Sequence, residues 1–334
     1  MRSSRATGPV ALVLTAFCLA ACGGTDSRSS SGGNVLAVVT TVAPITSIAA
    51  NIGGDKVSIT GLVPEGTNSH TFEPPPSASV VLSEADVVFI NGLQLEEPMK
   101  GLAEQTAKDG SELIEIGTAV LPESDYIYDF SFPEEDGKPN PHLWTDPTWA
   151  LKYAEVIRDT FVERDPDNVD YYESNFDAFE AKATALGEAL RKDQESIPGP
   201  RALLTYHDAY AYFADTYDWT VIGAIQPENF EDPAPQEVAD LIDQIRAEDV
   251  PTIFGSEVFP SKALEQIADE TGVRYEDTLR DDDLPGEPGD TEHSWLGLMR
   301  YDYVTMITGL GGHAPTLDAL DVDDVAPDSA EYPQ

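Results

Sequence analysis

The chain has 334 residues, of which 41% are hydrophobic, and this length and composition are typical of a two-domain globular protein. It carries 61 Asp and Glu residues against 19 Lys and Arg residues, for a formal net charge of -42. Because so acidic a surface repels phosphates, the composition excludes nucleic-acid binding. The same acidity fits both a cation-binding protein and life in high salt, so charge alone does not separate these two.

The N-terminal segment has the pattern of an export signal. Arg2 and Arg5 precede an apolar run over residues 10–21, which is too short to remain as a spanning helix. Cys18 and Cys22 are the only cysteines, and Leu19-Ala20-Ala21-Cys22 resembles a bacterial lipobox, whose cysteine is acylated and becomes the new N-terminus. We therefore expect a signal peptide over 1–22, a flexible tether over 23–33, and an extracytoplasmic protein lipid-anchored to a bacterial membrane. The alternative is a plain secretory signal with a chance cysteine.

The first half of the mature chain alternates strand and helix patterns. Short β-branched runs predict strands at 35–39, 57–63, 87–91 and 113–116, and the segments between them predict helices at 45–52, 77–85 and 97–107. Such alternation is typical of a parallel sheet covered by helices. We assign residues 34–165 to an N-terminal α/β lobe.

The middle of the chain predicts a loop followed by two helices. Residues 125–140 are acidic and aromatic and indicate an irregular surface loop. Asp146 is placed to cap a helix that starts at Pro147, and Asp165-Pro166 starts the next helix. Apolar residues at helical spacing continue that second helix to about residue 197, which gives about 45 Å for about 30 residues. Residues 166–197 are therefore predicted to be a long linking helix.

The second half repeats the pattern of the first. Strands are predicted at 202–206, 219–223, 252–255 and 273–275, with helices at 209–217, 235–248, 262–271 and 294–310. These segments form a C-terminal lobe over 198–312, and the acidic tail 313–334 is expected to be disordered or loosely attached. The predicted fold class is α/β, with two lobes, each a four-stranded mainly parallel sheet with flanking helices, joined by one long rigid helix.

Three of the five histidines fall at comparable places in this pattern. His70 lies in the loop after the second strand, His142 just before a helix, and His207 directly after a strand. Ligands of parallel sheets bind beyond the carboxyl ends of the strands, so these side chains are expected to converge. Three imidazoles and one carboxylate complete a tetrahedral metal shell, and Asp277 follows the strand predicted to end at Tyr275.

The fourth ligand has rivals. Glu276 should point to the opposite face from Asp277, and the adjacent charges of the run Asp281, Asp282 and Asp283 are more often solvated than bound to one ion. His293 would leave the charge of the ion uncompensated, and we expect it, like His313, at the surface.

Four motifs then match a known family. They are Asn68-Ser-His-Thr-Phe-Glu-Pro74, Pro141-His-Leu-Trp-Thr-Asp-Pro147, Tyr206-His-Asp-Ala-Tyr210 and Arg274-Tyr-Glu-Asp-Thr-Leu279, with Met299 in the last long helix. The chain resembles, over residues 35–312, the metal-specific solute-binding lipoproteins of bacterial ABC importers, the zinc and manganese receptors. The resemblance implies one ion between two lobes, held by His70, His142, His207 and Asp277. It also implies a binding protein rather than an enzyme, with a membrane ABC permease as partner. We expect a monomer, and leave open whether a zinc metallochaperone delivers the ion.

The nitrogen-rich ligand set favours Zn²⁺ over Mn²⁺, which prefers oxygen ligands. In the family, manganese members often carry a carboxylate at the third position, where this chain has His207. Alternatives are a receptor for manganese or another divalent metal, an adhesin of the same fold, and a secreted zinc hydrolase with Glu73 or Glu257 as base. No His-Glu-x-x-His pair supports the hydrolase.

Overall fold

The first sheet is built from four short strands that run parallel in the order β2-β1-β3-β4. In this computed structural model the described residues are 35–226, 233–248, 250–256 and 262–333, and residues 35–334 form one compact unit. The strands are β1 Leu36–Thr40, β2 Val57–Gly61, β3 Val87–Ile90 and β4 Glu112–Glu115. The helices are α1 Ala43–Gly53, α2 Ala78–Glu84, α3 Glu97–Thr106 and α4 Ile116–Val120. The central strand β3 is buried throughout, as expected for a parallel sheet with both faces covered. The predicted signal peptide, Cys22 and the tether lie outside the described residues.

Two helices connect the halves of the chain. The first is α5, Pro147–Arg164, and the Oδ1 atom of Asp146 accepts a hydrogen bond from the Thr148 amide at 2.8 Å, so the predicted cap is present. The second is α6, Val169–Asp193, whose 25 residues give about 38 Å. Short 3-10 turns flank α6 at 166–168 and 194–196, so the regular α-helix is shorter than predicted.

The second sheet repeats the strand order of the first, β6-β5-β7-β8, again with all strands parallel. Its strands are β5 Ala202–Thr205, β6 Thr220–Ala224, β7 Thr252–Ser256 and β8 Arg274–Leu279. Its helices are α7 Ala211–Tyr217, α8 Pro235–Glu248, α9 Lys262–Thr271 and α10 Trp295–Gly309, followed by the short α11 Pro315–Asp318. Each sheet therefore has a topological switch point beside its first strand, where ligands of such sheets bind.

The last strand is longer than its sequence suggested. It was predicted to end at Tyr275, but β8 continues to Leu279, and Glu276 pairs with Phe254 of β7. The sequence does not indicate this continuation, because residues 276–278 are polar. A strand at the edge of a sheet needs only backbone pairing and can carry polar side chains. Asp277 thus lies inside the strand, and the residues that follow its carboxyl end are Arg280 to Asp283.

The C-terminal tail is packed against the rest of the chain, so the expected loose attachment is wrong. Leu317, at 0% exposure, is part of the main core, and Thr316 and Leu317 donate their amide hydrogens to the carboxylate of Asp193. Further on, Glu331 bonds to the edge of β2, with its carbonyl accepting from the Gly61 amide at 2.9 Å. The tail contributes isolated apolar residues at irregular spacing, which a periodicity analysis does not detect.

Apolar side chains from both halves form one continuous core around α6. Phe179 of α6 contacts Trp295 of α10 at a ring-centroid distance of 5.4 Å, and Phe213 of α7 stacks on Tyr303 at 5.2 Å. Such shared packing resists large relative movement of the two sheets. Among the helices of the described ranges, none is both long enough and apolar enough to cross a membrane.

Candidate metal centre

Three imidazoles meet at one point between the two sheets. The Nε2 atoms of His70 and His142 lie 3.1 Å apart, those of His70 and His207 3.2 Å, and those of His142 and His207 3.0 Å. His142 and His207 are buried at 0% and 3% exposure. The predicted convergence of the three histidines therefore occurs.

Local turns hold each histidine backbone. The amide of His70 donates to Oδ1 of Asn68 at 3.0 Å, and the amide of His142 donates to Oδ1 of Asn140 at 3.1 Å. His207 follows the end of β5 by two residues, so it projects beyond the carboxyl end of that strand.

Hydrogen bonds to the outer nitrogens fix the tautomers of two of the rings. Nδ1 of His142 lies 2.8 Å from Oδ1 of Asn140, and the amide nitrogen of Asn140 donates to the carbonyl of Asp208. That oxygen of Asn140 is therefore an acceptor, and Nδ1 of His142 carries the proton. Nδ1 of His207 lies 2.7 Å from Oε1 of Gln226, with the same consequence. The inward Nε2 atoms of both rings then present lone pairs, as metal-binding imidazoles must.

The surroundings keep the rings neutral. Burial lowers the pKa of His70 and of His142 well below the usual value, and the neighbouring imidazoles lower both further. Burial also lowers the pKa of His207, although the nearby Asp282 acts in the opposite direction. Because only neutral imidazole can bind a metal ion, the three rings are able to bind one at neutral pH.

Two buried carboxyl groups complete the cluster, and both come from the aspartate run that follows β8. Oδ2 of Asp281 lies 3.6 Å from Nε2 of His207, and Asp281 and Asp282 each bring an oxygen within 4.8 Å of a ring nitrogen of His142. The indole of Trp144 donates to the Asp281 carbonyl at 2.8 Å, and the Ser69 hydroxyl donates to Asp282. Oδ2 of Asp281 and Oδ1 of Asp282 have no hydrogen-bond partner within the described part of the chain.

The electrostatics of these carboxyl groups also suit a cation. Burial raises the pKa of Asp281 to about 7, with the neighbouring Asp283 as a further cause. Burial and the adjacent Asp281 raise the pKa of Asp282 to about 8. Two acids so close together in a buried site lack compensating positive charge, which a divalent ion supplies.

The nitrogen triangle has the size of three corners of a tetrahedral coordination shell. For three atoms about 3.1 Å apart, an ion placed about 1 Å above their plane lies about 2.0–2.1 Å from each, the usual length of a zinc–nitrogen bond. The fourth position of a tetrahedron is then open on one side of the plane, and a carboxylate is the complementary donor.

Sequence reasoning found the three histidines but not the carboxylates beside them. The side chain of Asp277 lies outside the described residues, whereas Asp281 and Asp282 are buried at 2% and 5% exposure rather than solvated. Two further predictions concerned surface histidines. His313 is exposed, but His293 is buried at 3% exposure, which corrects its assignment to the surface.

The loop 125–140 covers the histidine cluster. The ring of Phe132 lies 5.6 Å from that of His70 and 5.7 Å from that of His142, and it is only 5% exposed. Ser131 anchors the loop to the second half of the chain, because its amide donates to Asp208 and its hydroxyl to the carbonyl of Gln226. Part of the predicted surface loop is therefore buried and shields the site from water.

Two doubly wound sheets with a buried cluster of imidazoles and carboxyl groups between them define a metal-binding protein of the two-lobed, solute-binding class. Residues 38–309 match the family model described as zinc-uptake complex component A, periplasmic, and the chain belongs to this family. The family consists of solute-binding proteins of ABC transporters rather than enzymes, and its members act outside the cytoplasm.

Similar proteins include receptors named for different metals. The chain is 29% identical over 302 residues to the manganese-binding lipoprotein MntA of Halalkalibacterium halodurans, covering 90% of this chain and 96% of that protein. It is 32% identical over 276 residues to the iron-binding protein YfeA of Yersinia pestis, covering 82% and 86%. A manganese-bound periplasmic metal-binding protein from Candidatus Liberibacter asiaticus superposes with a TM-score of 0.71 at 26% identity, covering 82% and 98%.

Proposed function

We propose that the protein captures one divalent metal ion, with Zn²⁺ as the preferred ion, and delivers it to an ABC permease in the membrane. The observation that carries this proposal is the convergence of three Nε2 atoms at 3.0–3.2 Å in a buried site. The lone pairs on Nε2 of His142 and His207 are directed at one point, and they repel each other unless a proton or a cation lies between them. Neutral imidazoles that accept no proton at physiological pH leave a metal ion as the fitting occupant.

The proposed ligands are His70, His142, His207 and Asp281. Asp281 replaces Asp277 in this set because its unpartnered Oδ2 is the carboxylate oxygen that approaches His207, at 3.6 Å. Asp282 lies beside it and is held by Ser69, so it balances the charge of the ion without necessarily binding it.

The preference for zinc follows from the donor atoms. Three nitrogens and one oxygen suit a tetrahedral Zn²⁺, whereas Mn²⁺ favours six oxygen-rich ligands. MntA and YfeA are named for manganese and iron, so the competing proposal is a receptor for one of those ions.

Delivery requires a protein held close to its permease. Acylation of Cys22 and a flexible tether over 23–33 would keep the receptor at the outer face of the membrane while it reaches its partner. We further infer that the N-terminal lobe 34–165 and the C-terminal lobe 198–312, joined by the linker 166–197, act as one monomer. All four proposed ligands come from a single chain, which supports this inference.

A metal competition experiment tests the preference. The chelator-stripped protein is titrated with Zn²⁺, Mn²⁺ and Fe²⁺ against a competing chelator, and the His142→Ala variant is titrated in parallel. We expect one tight equivalent of zinc, weaker binding of the other two ions, and loss of the tight equivalent in the variant. Tighter binding of manganese or iron than of zinc would replace zinc in the proposal.

Delivery is tested in cells that lack the gene. Expression of the wild-type chain should restore growth in zinc-limited medium, whereas expression of His142→Ala should not. The Cys22→Ala variant should no longer be found in the membrane fraction. Full rescue by His142→Ala would argue that the chain serves the cell by another route, such as adhesion.

A further inference from the structure

An acidic cavity lies on the side of the molecule where the C-terminal tail meets the loop before α10. Its volume is about 530 Å³, and its lining includes Asp290, His293, Asp323, Asp324, Asp328 and Tyr332. Among the described residues that line it, four carry a carboxylate and none is a lysine or an arginine. The cavity therefore has an excess of negative charge and no role in the site described above.

His293 lines this cavity without a hydrogen bond. The residue is 3% exposed, and neither Nδ1 nor Nε2 has a hydrogen-bond partner within the described part of the chain. The ring packs edge-on against Tyr332 with centroids 4.8 Å apart, and Oε1 of Glu65 lies 3.9 Å from Nε2, too far for a hydrogen bond. A buried imidazole without a hydrogen-bond partner is energetically unfavourable, so a ligand that binds this ring would stabilise the folded protein.

Within the described part of the chain, Asp324 and Asp328 accept hydrogen bonds from neutral groups. Asp324 accepts from the Asn51 side chain at 2.7 Å, and Asp328 accepts from the Tyr332 hydroxyl at 2.6 Å. Burial raises the pKa of Asp324 to about 6, and Asp328 adds to this rise. Lys182, whose charge reaches Asp324, is itself bound to Asp321 at 3.0 Å and to the carbonyl of Asp323.

We propose that this cavity is a second cation site, in which a partly hydrated divalent metal ion binds the imidazole of His293 directly and the carboxylates of Asp324 and Asp328 through its bound water. An imidazole ligand favours zinc and related transition metals. Within the described part of the chain, sets of three histidine or acidic side chains whose ligand atoms all lie within 4.8 Å of one another occur only at the first site, so here the carboxylates would act on the ion through its water shell. A volume of about 530 Å³ has ample room for that water.

An ion in this cavity would also connect the tail to the loops of the first site. Glu65, the neighbour of His293, accepts from the Leu284 amide at 3.2 Å, and its own amide donates to the Pro333 carbonyl. The next residue, Gly66, donates its amide hydrogen to the carboxylate of Asp283. The second site thus lies against the two loops that carry His70 and Asp281, while using none of the ligands of the first site.

Zinc titration of the full chain tests the proposal. After chelator treatment, we expect a tight equivalent and a second, weaker equivalent in the wild-type protein. His293→Gln should lose the weaker equivalent and keep the tight one, and His142→Ala should do the reverse. Asp324→Asn combined with Asp328→Asn should weaken the second equivalent at least about tenfold, the scale of losing groups at a metal site. His313→Gln, which removes an exposed histidine, is the matched control and should change neither equivalent.

The proposal is overturned by a wild-type protein that binds a single equivalent, or by a second equivalent that survives in His293→Gln. The proposal is also overturned if the cavity binds an alkylammonium ion saturably but no second zinc ion, because the cavity would then be a site for an organic cation. If His293→Gln does not fold, crystals of the wild-type chain soaked in zinc decide, because anomalous scattering beside His293 supports the site and its absence removes it. Failure of the first site would instead show as loss of the tight equivalent, so the two outcomes remain distinguishable.

Discussion

Nε2 of His207 and Oδ2 of Asp281 lie 3.6 Å apart in a buried environment that disfavours charge on either group. Burial lowers the pKa of His207 and raises that of Asp281 to about 7, so the histidine is neutral and the carboxyl group still carries a proton in part of the molecules at neutral pH. The pair therefore offers one nitrogen and one oxygen as donors to a metal ion. A metal ion would stabilise it by displacing that proton and compensating the carboxylate.

The first prediction concerns the fourth ligand. Asp281→Asn keeps the size of the side chain but removes its charge, so we expect zinc to bind at least about tenfold more weakly, since even groups outside the ligand shell contribute about 10–100-fold. Titration against a competing chelator measures the change.

Asp277→Asn is the matched control for that variant. Because Asp277 lies inside β8 rather than after it, we expect its replacement to leave zinc affinity within about twofold of the wild type. Weakened binding in Asp277→Asn with normal binding in Asp281→Asn would return the fourth position to Asp277.

The second prediction concerns the residue that orients His207. Gln226→Leu removes the acceptor 2.7 Å from Nδ1 and frees the ring to change tautomer, so zinc affinity should fall by about 10–100-fold. Gln244→Leu, on α8, removes a glutamine whose amide donates to the Ile222 carbonyl, and it should leave affinity unchanged. Equal affinities in the two variants would mean that Gln226 does not hold the ring.

The third prediction concerns protons released on binding. Asp281 and Asp282 have pKa values raised to about 7 and about 8, so zinc must displace protons from the pair when the pH is near or below 7. Apparent affinity should then decrease as the pH falls below about 7, before the histidines, with their lowered pKa values, begin to be protonated. Calorimetry in buffers of different ionisation enthalpy counts the protons, and Asp281→Asn should release fewer. An affinity that is constant from pH 8 to 6 would contradict this origin.

The fourth prediction concerns the metal-free protein. Glu96, with a pKa raised to about 7 by burial, joins Asp281 and Asp282 as a group that binds more protons when folded than when unfolded. The free energy of unfolding should therefore fall as the pH rises from about 4 to 8, by about 1.4 kcal/mol for each tenfold difference in proton affinity between the folded and unfolded chain. Urea denaturation at several pH values measures this, and added zinc should stabilise the protein most at the alkaline end.

A salt series separates this effect from surface repulsion. The net charge of -42 also destabilises the folded chain as carboxylates ionise, but high salt screens exposed charges and leaves buried ones largely unaffected. Salt on the order of 1–2 M shortens the screening length to about 3 Å. If the pH dependence of stability disappears in such salt, its origin is repulsion between surface charges rather than the buried carboxyl groups.

The sequence predicted most of the fold because alternation of short apolar runs with helical periods is a local signal. It also predicted the convergence of the three histidines, because His70 and His207 follow strands whose carboxyl ends lie at the ligand-binding edge of a sheet, and His142 lies just before a helix. The choice of Asp277 as the fourth ligand depended on where β8 ends. Edge pairing through the backbone extends that strand over polar residues to Leu279, which no side-chain pattern in this segment indicates.

Two other features could not be predicted because they depend on distant contacts. The burial of Asp282 arises from Ser69, 213 residues away, and the run of three aspartates has the local pattern of a solvated loop. His293 is buried because the tail folds back over it and places Tyr332 against its ring. Hydrophobic periodicity carries no information about such long-range packing.

The last prediction tests whether the tail is part of the fold. Leu317 is fully buried in the core next to α6, so Leu317→Ala should lower the free energy of unfolding by about 2–5 kcal/mol through lost burial and the cavity that remains. Asp318→Ala, at the exposed neighbouring position, should change it by less than about 0.5 kcal/mol. Urea denaturation of both variants provides the comparison. Equal stabilities of the two variants would mean that residues 313–334 are loosely attached. The expected difference would mean that the tail is a structural element that holds α6, β2 and the loop of Glu65 together.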